Sequence, residues 1–71
     1  MEMINLSDMI IGTVIATNSR GCYVLDDETG TVVYYYGNGK TGDRVLVSLR
    51  KIDTERNRIT YRLDSVIEYA A

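Results

Sequence analysis

Hydrophobic and β-branched residues occur along this 71-residue chain in short runs, separated by turns rich in Gly, Asn and Asp. In the clearest run, Val45, Val47 and Leu49 alternate with polar residues, as in a strand that buries one face. Little of the sequence has the spacing of an amphipathic helix. The pattern therefore predicts five β-strands, at residues 9–17, 22–26, 31–36, 44–53 and 58–63.

Interruptions of the pattern predict bends. Gly12 lies inside the first strand, where a glycine favours a bulge or a tight bend. The alternation of the fourth strand breaks near Arg50 and Lys51, so a bulge there would return Ile52 to the core. The final segment, 64–71, is expected to form a short helical turn or a frayed tail. Three glycines are expected at sharp turns or strand starts with unusual backbone angles: Gly21, Gly30 and Gly42.

Five short strands cannot form two packed sheets of useful size, whereas one closed sheet buries a single core and removes most edges. We therefore expect an all-β fold, a five-stranded antiparallel OB-fold barrel, as a single domain over residues 1–71 with its core at about 9–63. An SH3-like barrel is the main rival at this length, but the strand lengths and the long early loop of that fold match this sequence less well. The predicted core consists of Val14, Cys22, Val24, Val32, Val45, Val47, Leu49, Ile52 and Ile59.

The composition of the chain argues against several kinds of active site. The chain has no His and one Cys, so a zinc site or a His-based acid–base centre has almost no parts. Cys22 is interpreted as an inert core thiol, and the acidic stretch 26–29 as a solvated hairpin turn without the ligand spacing of a calcium loop. We expect no enzymatic activity, cofactor or metal. Cys22 has no second cysteine to pair with in the chain, which favours a reducing compartment. The sequence shows neither a leader nor an apolar run of about 20 residues. We therefore expect a cytoplasmic protein without a membrane span.

The stretch Gly39-Lys40-Thr41 has the letters of a phosphate-binding loop. Such a loop needs a glycine five residues earlier, where this chain has Tyr34, and a helix after it. Neither condition is met, so a nucleotide-binding loop is rejected.

Charge is distributed unevenly along the chain. The net charge is −2, but seven of the eight basic residues fall in the second half. Asp26, Asp27 and Glu28 cluster in the first half. A locally basic face on a mildly acidic protein can still hold a polyanion weakly.

The order of several short blocks resembles the RNA-binding domain repeated in ribosomal protein S1. That family opens with Gly-x-Val and then Phe-Gly-Ala-Phe-Val, where this chain has 12–14 and 20–24. Its Gly-Leu-Val-His block corresponds to 30–33, and its Gly-Asp-x-Val-x-Val block to 42–47. Its final Arg-Ile-x-Leu-Ser block corresponds to 58–62. The resemblance covers about residues 12–63.

The resemblance implies a nucleic-acid surface carried by the second, third and last strands. Arg20 stands where the family has an aromatic residue, and Val33 stands where it has a histidine. By the family register Val33 faces the ligand, so Tyr35 is expected beside Tyr23 on the outer face, with Tyr34 inside the barrel and Tyr36 near its rim. The RNA-binding residues predicted in this way are Arg20, Tyr23, Val33, Tyr35, Asp53, Arg58 and Arg62.

The leading functional prediction is a non-catalytic module that binds single-stranded RNA weakly, by base stacking and phosphate contacts. The alternative is an accessory OB domain that has lost nucleic-acid binding and contacts a protein partner or the rest of a larger RNA-processing protein. The acidic net charge and the valine at position 33 favour this alternative.

Overall fold

A computed structural model describes residues 8–71. The predicted domain 1–71 therefore includes seven residues that lie outside the described part. Within it the chain forms five strands and no helix. The strands are β1 (Met9–Thr17), β2 (Gly21–Asp26), β3 (Val32–Tyr36), β4 (Arg44–Asp53) and β5 (Arg58–Glu68).

The five strands close into one barrel in the order β1-β2-β3-β5-β4. Four of the neighbouring pairs are antiparallel, but β3 and β5 run parallel and are joined at one position, Tyr35 with Tyr61. The prediction of a closed five-stranded barrel is confirmed, while the prediction that it is antiparallel throughout is wrong at this pair. The barrel is closed by two pairings between strands that are not consecutive in the chain, β1 with β4 and β3 with β5.

The core confirms part of the predicted set. Val14, Val24, Val45 and Val47 are buried together with Cys22, and Leu49 packs against them partly buried. Alternation along each strand brings these side chains to one face of the sheet. Ile10 and two tyrosines, Tyr35 and Tyr61, complete the core. Burial of the two rings is the main cause that raises the pKa of both tyrosine hydroxyls.

The prediction of which β3 side chains face the core is wrong. Tyr23 pairs with Tyr34 and Cys22 pairs with Tyr35, and directly opposed residues lie on the same face of a sheet. Since Cys22 faces the core, Tyr35 does too, and its side chain is completely buried. Val32, also predicted inside, belongs to the opposite phase and is exposed.

The predicted bulge in β4 is confirmed, but its consequence differs from the expectation. Leu49 pairs with Tyr61 and Lys51 pairs with Thr60, so Arg50 is the extra residue. After the bulge Ile52 pairs with Ile59 on the core side of the hairpin. Both isoleucines are nevertheless exposed, Ile52 by 48%. Within residues 8–71 the contact of β4 with the segment that opens β1 ends at Leu49, whose backbone N–H donates to the carbonyl of Asp8 at 2.7 Å, so no described strand other than β5 pairs with the end of the hairpin.

The predicted bend in β1 also lies elsewhere. Gly12 is paired regularly on both sides, and the register shifts between Val14 and Ala16. A Cβ at Gly12 would overlap the carbonyl oxygen of Leu25, so this glycine is required by the close approach of two backbones.

The C-terminal segment is neither helical nor frayed, because β5 continues as a strand to Glu68. The residues after it are attached to the β3–β4 loop by Asp43, whose carboxylate accepts hydrogen bonds from the backbone N–H groups of Ala70 (2.7 Å) and Lys40 (3.0 Å). These two bonds lower the pKa of the Asp43 carboxyl below its ordinary value.

Two of the three turn glycines meet the expectation. Gly30 and Gly42 have φ of 75° and 100°. Gly21 starts β2 without a positive φ, and its constraint is steric. A Cβ there would overlap the carbonyl oxygen of Tyr35 and lie 2.7 Å from the hydroxyl of Tyr34.

Candidate nucleic-acid interface

The loop between β1 and β2 is organised by one side chain, Asn18. Its Oδ1 accepts hydrogen bonds from the backbone N–H groups of Arg20 and Gly21, both at 2.8 Å. The same oxygen accepts a 3.1 Å bond from the hydroxyl of Tyr34. Asparagine often closes turns in this way. The loop that carries Arg20 is thus joined directly to the outer face of β3.

Three tyrosines form a row on the outer face of β2 and β3, and we call Tyr23, Tyr34 and Tyr36 the tyrosine platform. The ring centroids of Tyr23 and Tyr34 are 4.9 Å apart with planes inclined at 58°. Tyr34 and Tyr36 are 5.1 Å apart and meet edge to face. These geometries are favourable for aromatic pairs. Tyr23 and Tyr36 remain exposed, Tyr23 by 40%, while Tyr34 between them is half-buried.

A groove of about 350 Å³ runs along the platform. Arg20 and Asn18 border it at the β1–β2 loop, and Arg58 borders it on β5. A flat ring placed here can stack on tyrosine, and guanidinium groups at the border can stack or neutralise phosphate.

A second groove, of about 230 Å³, continues from the first, since Tyr36, Arg58 and Thr60 line both. We call it the cationic groove. It is bordered by four basic side chains and one carboxylate: Arg50, Lys51, Arg56, Arg58 and Asp53. Asp53 pairs with Arg58 across the hairpin and lies 3.9 Å from the Arg56 guanidinium. The β4–β5 turn therefore has an excess of positive charge next to the platform.

The structure brings together four of the seven predicted site residues. Arg20, Tyr23 and Arg58 border the platform groove, and Asp53 borders the cationic groove.

The other three predicted residues lie elsewhere. Tyr35 is in the core, where its hydroxyl donates to the carbonyl of Asn38 at 3.0 Å, so the expectation that it stacks on the outer face is wrong. Val33 shares its inward phase and packs against the core. Arg62 borders neither groove; its guanidinium contacts Ser48 (3.1 Å) and Asp64 (3.3 Å).

Sequence reasoning missed Tyr34 and Tyr36, which it assigned to the barrel interior and the rim. A run of three tyrosines has no alternation of its own, so the run leaves the phase of β3 open. The available signal was the preceding hairpin, because a core position at Val24 fixes which residue of β3 faces inward once the two are paired.

Other chemistry is sparse in the described residues. Cys22 is buried, as predicted, with its sulfur 3.7 Å from the carbonyl oxygen of Gly37. Within residues 8–71 no group of His, Cys, Asp or Glu side chains has the arrangement of a metal site. Nor does that part of the chain contain a helix long and apolar enough to cross a membrane.

Comparisons of the chain with models of known protein families, with curated proteins and with solved structures give no match. The resemblance to the S1 domain therefore stays a prediction.

Proposed function

We propose that this chain is an OB-type barrel that binds single-stranded RNA without catalysis, with bases on the tyrosine platform and phosphates in the cationic groove. The observation that carries the proposal is the continuity of the two grooves through Tyr36 and Arg58. Each kind of contact matches one part of a nucleotide, and single-strand binders combine stacking aromatics with a basic groove.

The strand order supports the OB assignment. A five-stranded barrel of this class binds oligonucleotides on the face of its second and third strands, next to the β1–β2 and β4–β5 loops. Those strands carry the platform here, and those loops carry Arg20 and Arg56.

The expected affinity is low. Only a few cations border the grooves, and the whole chain has a net charge of −2. Binding without base-specific contacts has dissociation constants of about 10⁻⁴–10⁻⁶ M at physiological salt. We expect values in this range, with tighter binding at low salt.

An amide chemical-shift titration with uridine heptamer at low salt tests the proposal. Shifts should concentrate at Arg20, Tyr23, Tyr36 and Arg58. A deoxythymidine heptamer serves as a comparison, since stacking and phosphate contacts alone do not distinguish RNA from DNA. If saturating RNA moves no amide along either groove, RNA binding is excluded.

A protein-interaction role is the second candidate, and one observation favours it. Met9 and Ile11 are exposed on β1 and border a groove of about 400 Å³ together with Glu28 and with Asp27, which is paired with Arg44 at 2.8 Å. Exposed apolar side chains with charged groups at their border suit a peptide with apolar anchors. Failure of the RNA titration, with shifts at Met9 and Ile11 on addition of such a peptide, would favour this role.

A further inference from the structure

A cavity of about 280 Å³ opens between β3 and β5, which are joined only at Tyr35 and Tyr61. Much of its wall is apolar and comes from Ile10, Val33 and Ile59. A cavity of about 150 Å³ is enough to bind benzene. This one therefore has room for a fused heteroaromatic ring.

One part of the wall is polar and contains a buried carboxylate. Asp26 ends β2 on the core side and is 6% exposed. Its Oδ1 accepts the backbone N–H of Glu28 (2.8 Å), and its Oδ2 accepts the hydroxyl of Thr29 (3.0 Å). A carboxylate has about four acceptor sites, so each oxygen can accept one bond more.

The negative charge of Asp26 acts on another group that lines the cavity. After burial itself, the carboxylates of Asp26 and Asp8 raise the pKa of the Tyr61 hydroxyl, which also lines the cavity. The buried carboxylate of Asp26 therefore favours a ligand edge that presents hydrogen-bond donors to it.

The cavity is continuous with the platform groove, because Tyr23, Tyr34 and Ile59 line both. We propose that it receives one guanine of the strand bound on the platform, with the base edge directed at Asp26. This inference rests on the proposed RNA binding and adds a base preference to it.

Guanine is the base whose edge suits a carboxylate. Its N1–H and its 2-amino group point the same way and can donate to the two oxygens of Asp26. Adenine and cytosine place a ring acceptor beside their single amino group. Uracil has one N–H between two carbonyls. Each of these three bases would place an acceptor against the carboxylate, so bidentate donation selects guanine.

The test compares uridine heptamers that differ at the central base, using the unmodified full chain at low salt. Central guanosine should bind about 5- to 150-fold more tightly than uridine, the range that a bidentate base contact supplies. Central inosine, which lacks only the 2-amino group, should lose part of that gain. Central adenosine should bind like uridine. Methyl signals of Val33 and Ile59 should shift with guanosine and stay unchanged with uridine.

Two variants locate the effect. Asp26→Asn keeps an acceptor for the Glu28 N–H but removes the paired acceptors, so guanosine and uridine heptamers should bind equally. Val33→Phe fills the cavity and should abolish the preference while uridine binding persists. Thermal midpoints of both variants identify any loss of folding.

The possible failures are separate. Equal binding of all four heptamers by the unmodified chain overturns the guanine subsite and leaves the RNA proposal standing. A guanosine preference that inosine fully retains also overturns it, because the 2-amino contact is then not made. No binding of any heptamer overturns both.

Discussion

The tyrosine platform and the β4–β5 hairpin lie side by side, but they are built in different ways. The platform lies on β2 and β3, which pair with each other, while β2 also pairs with β1, and the hydroxyl of its central tyrosine donates to Asn18. Among residues 8–71 the end of the hairpin pairs only with itself, and its basic side chains are exposed. A stacking surface must hold its rings in place, whereas a phosphate contact needs only a charge within reach. Function at the platform should therefore depend on the barrel, and function at the hairpin on charge.

The largest effect is expected at Gly21, beneath the platform. Gly21→Ala would force a Cβ against the carbonyl oxygen of Tyr35, which belongs to the neighbouring backbone. Overpacking of this kind costs about 1–3 kcal/mol, and sometimes more. We expect a lower free energy of unfolding in urea, and weaker RNA binding as the register of β2 and β3 adjusts.

Gly30→Ala is the matched control. It has a φ of 75° and nothing within 4 Å of the added Cβ, so only the conformational cost of about 1–2 kcal/mol applies. Equal unfolding free energies for the two variants would show that the close approach at Gly21 is not limiting.

The next effect concerns stacking. Tyr23→Ala should weaken binding of a uridine heptamer by about 1–3 kcal/mol, the contribution of one stacked base, with an unchanged salt dependence. Tyr69→Ala is the control, because Tyr69 is 74% exposed and lines neither groove. Fluorescence anisotropy at several salt concentrations measures both quantities. Similar losses for the two variants would contradict a specific role for the platform.

How far the sequence predicts the molecule depends on the region. In β4 the alternation of Val45, Val47 and Leu49 predicted both the strand and its buried face, because polar and apolar residues differ sharply there. In β3 every residue is apolar or aromatic, so the phase depends on pairing with β2 and on the buried acceptor that Tyr35 finds at Asn38. Transferring a phase from a resembling family replaced that physical information and gave the wrong face.

The candidate site was predicted in the same uneven way. Tyr23 and Arg58 were assigned through the resemblance to the S1 domain, and the structure places them beside one groove. The exposure of Ile52 and Ile59 could not be predicted from their pattern, since alternation identifies the face of a hairpin and not where the barrel beneath it ends. The cavity beside β3 depends on the single pairing of β3 with β5, which is a property of the closed sheet.

A smaller effect distinguishes two arginines of β5. Arg58→Ala should weaken binding and flatten the slope of log affinity against log salt by about 0.7, the value for one phosphate contact to a single strand. Arg62→Ala is the matched control on the same strand, because Arg62 contacts Ser48 and Asp64 and borders neither groove. Its slope should equal that of the unmodified chain. An equal flattening for both variants would mean that general charge, and not the cationic groove, attracts the RNA.

The smallest effect is a pH dependence of stability, and it compares the loop behind β3 with the β4–β5 hairpin. The two backbone hydrogen bonds lower the pKa of Asp43 from its ordinary 3.8, so the folded state binds this proton less readily than the unfolded state. The stability that Asp43 contributes is therefore fully present above pH 3.8 and is lost as pH falls through the lower, folded pKa.

Asp43→Asn lowers the thermal midpoint at neutral pH, since an amide cannot accept both bonds, and the difference from the unmodified chain should shrink below pH 3.8. Asp53→Asn is the counterpart in the hairpin, where the carboxylate accepts one longer bond of 3.2 Å from the Arg56 N–H. It should change the neutral-pH midpoint less than Asp43→Asn. A difference between the unmodified chain and Asp43→Asn that stays constant down to pH 2 would show that the charge of Asp43 does not stabilise the loop behind β3.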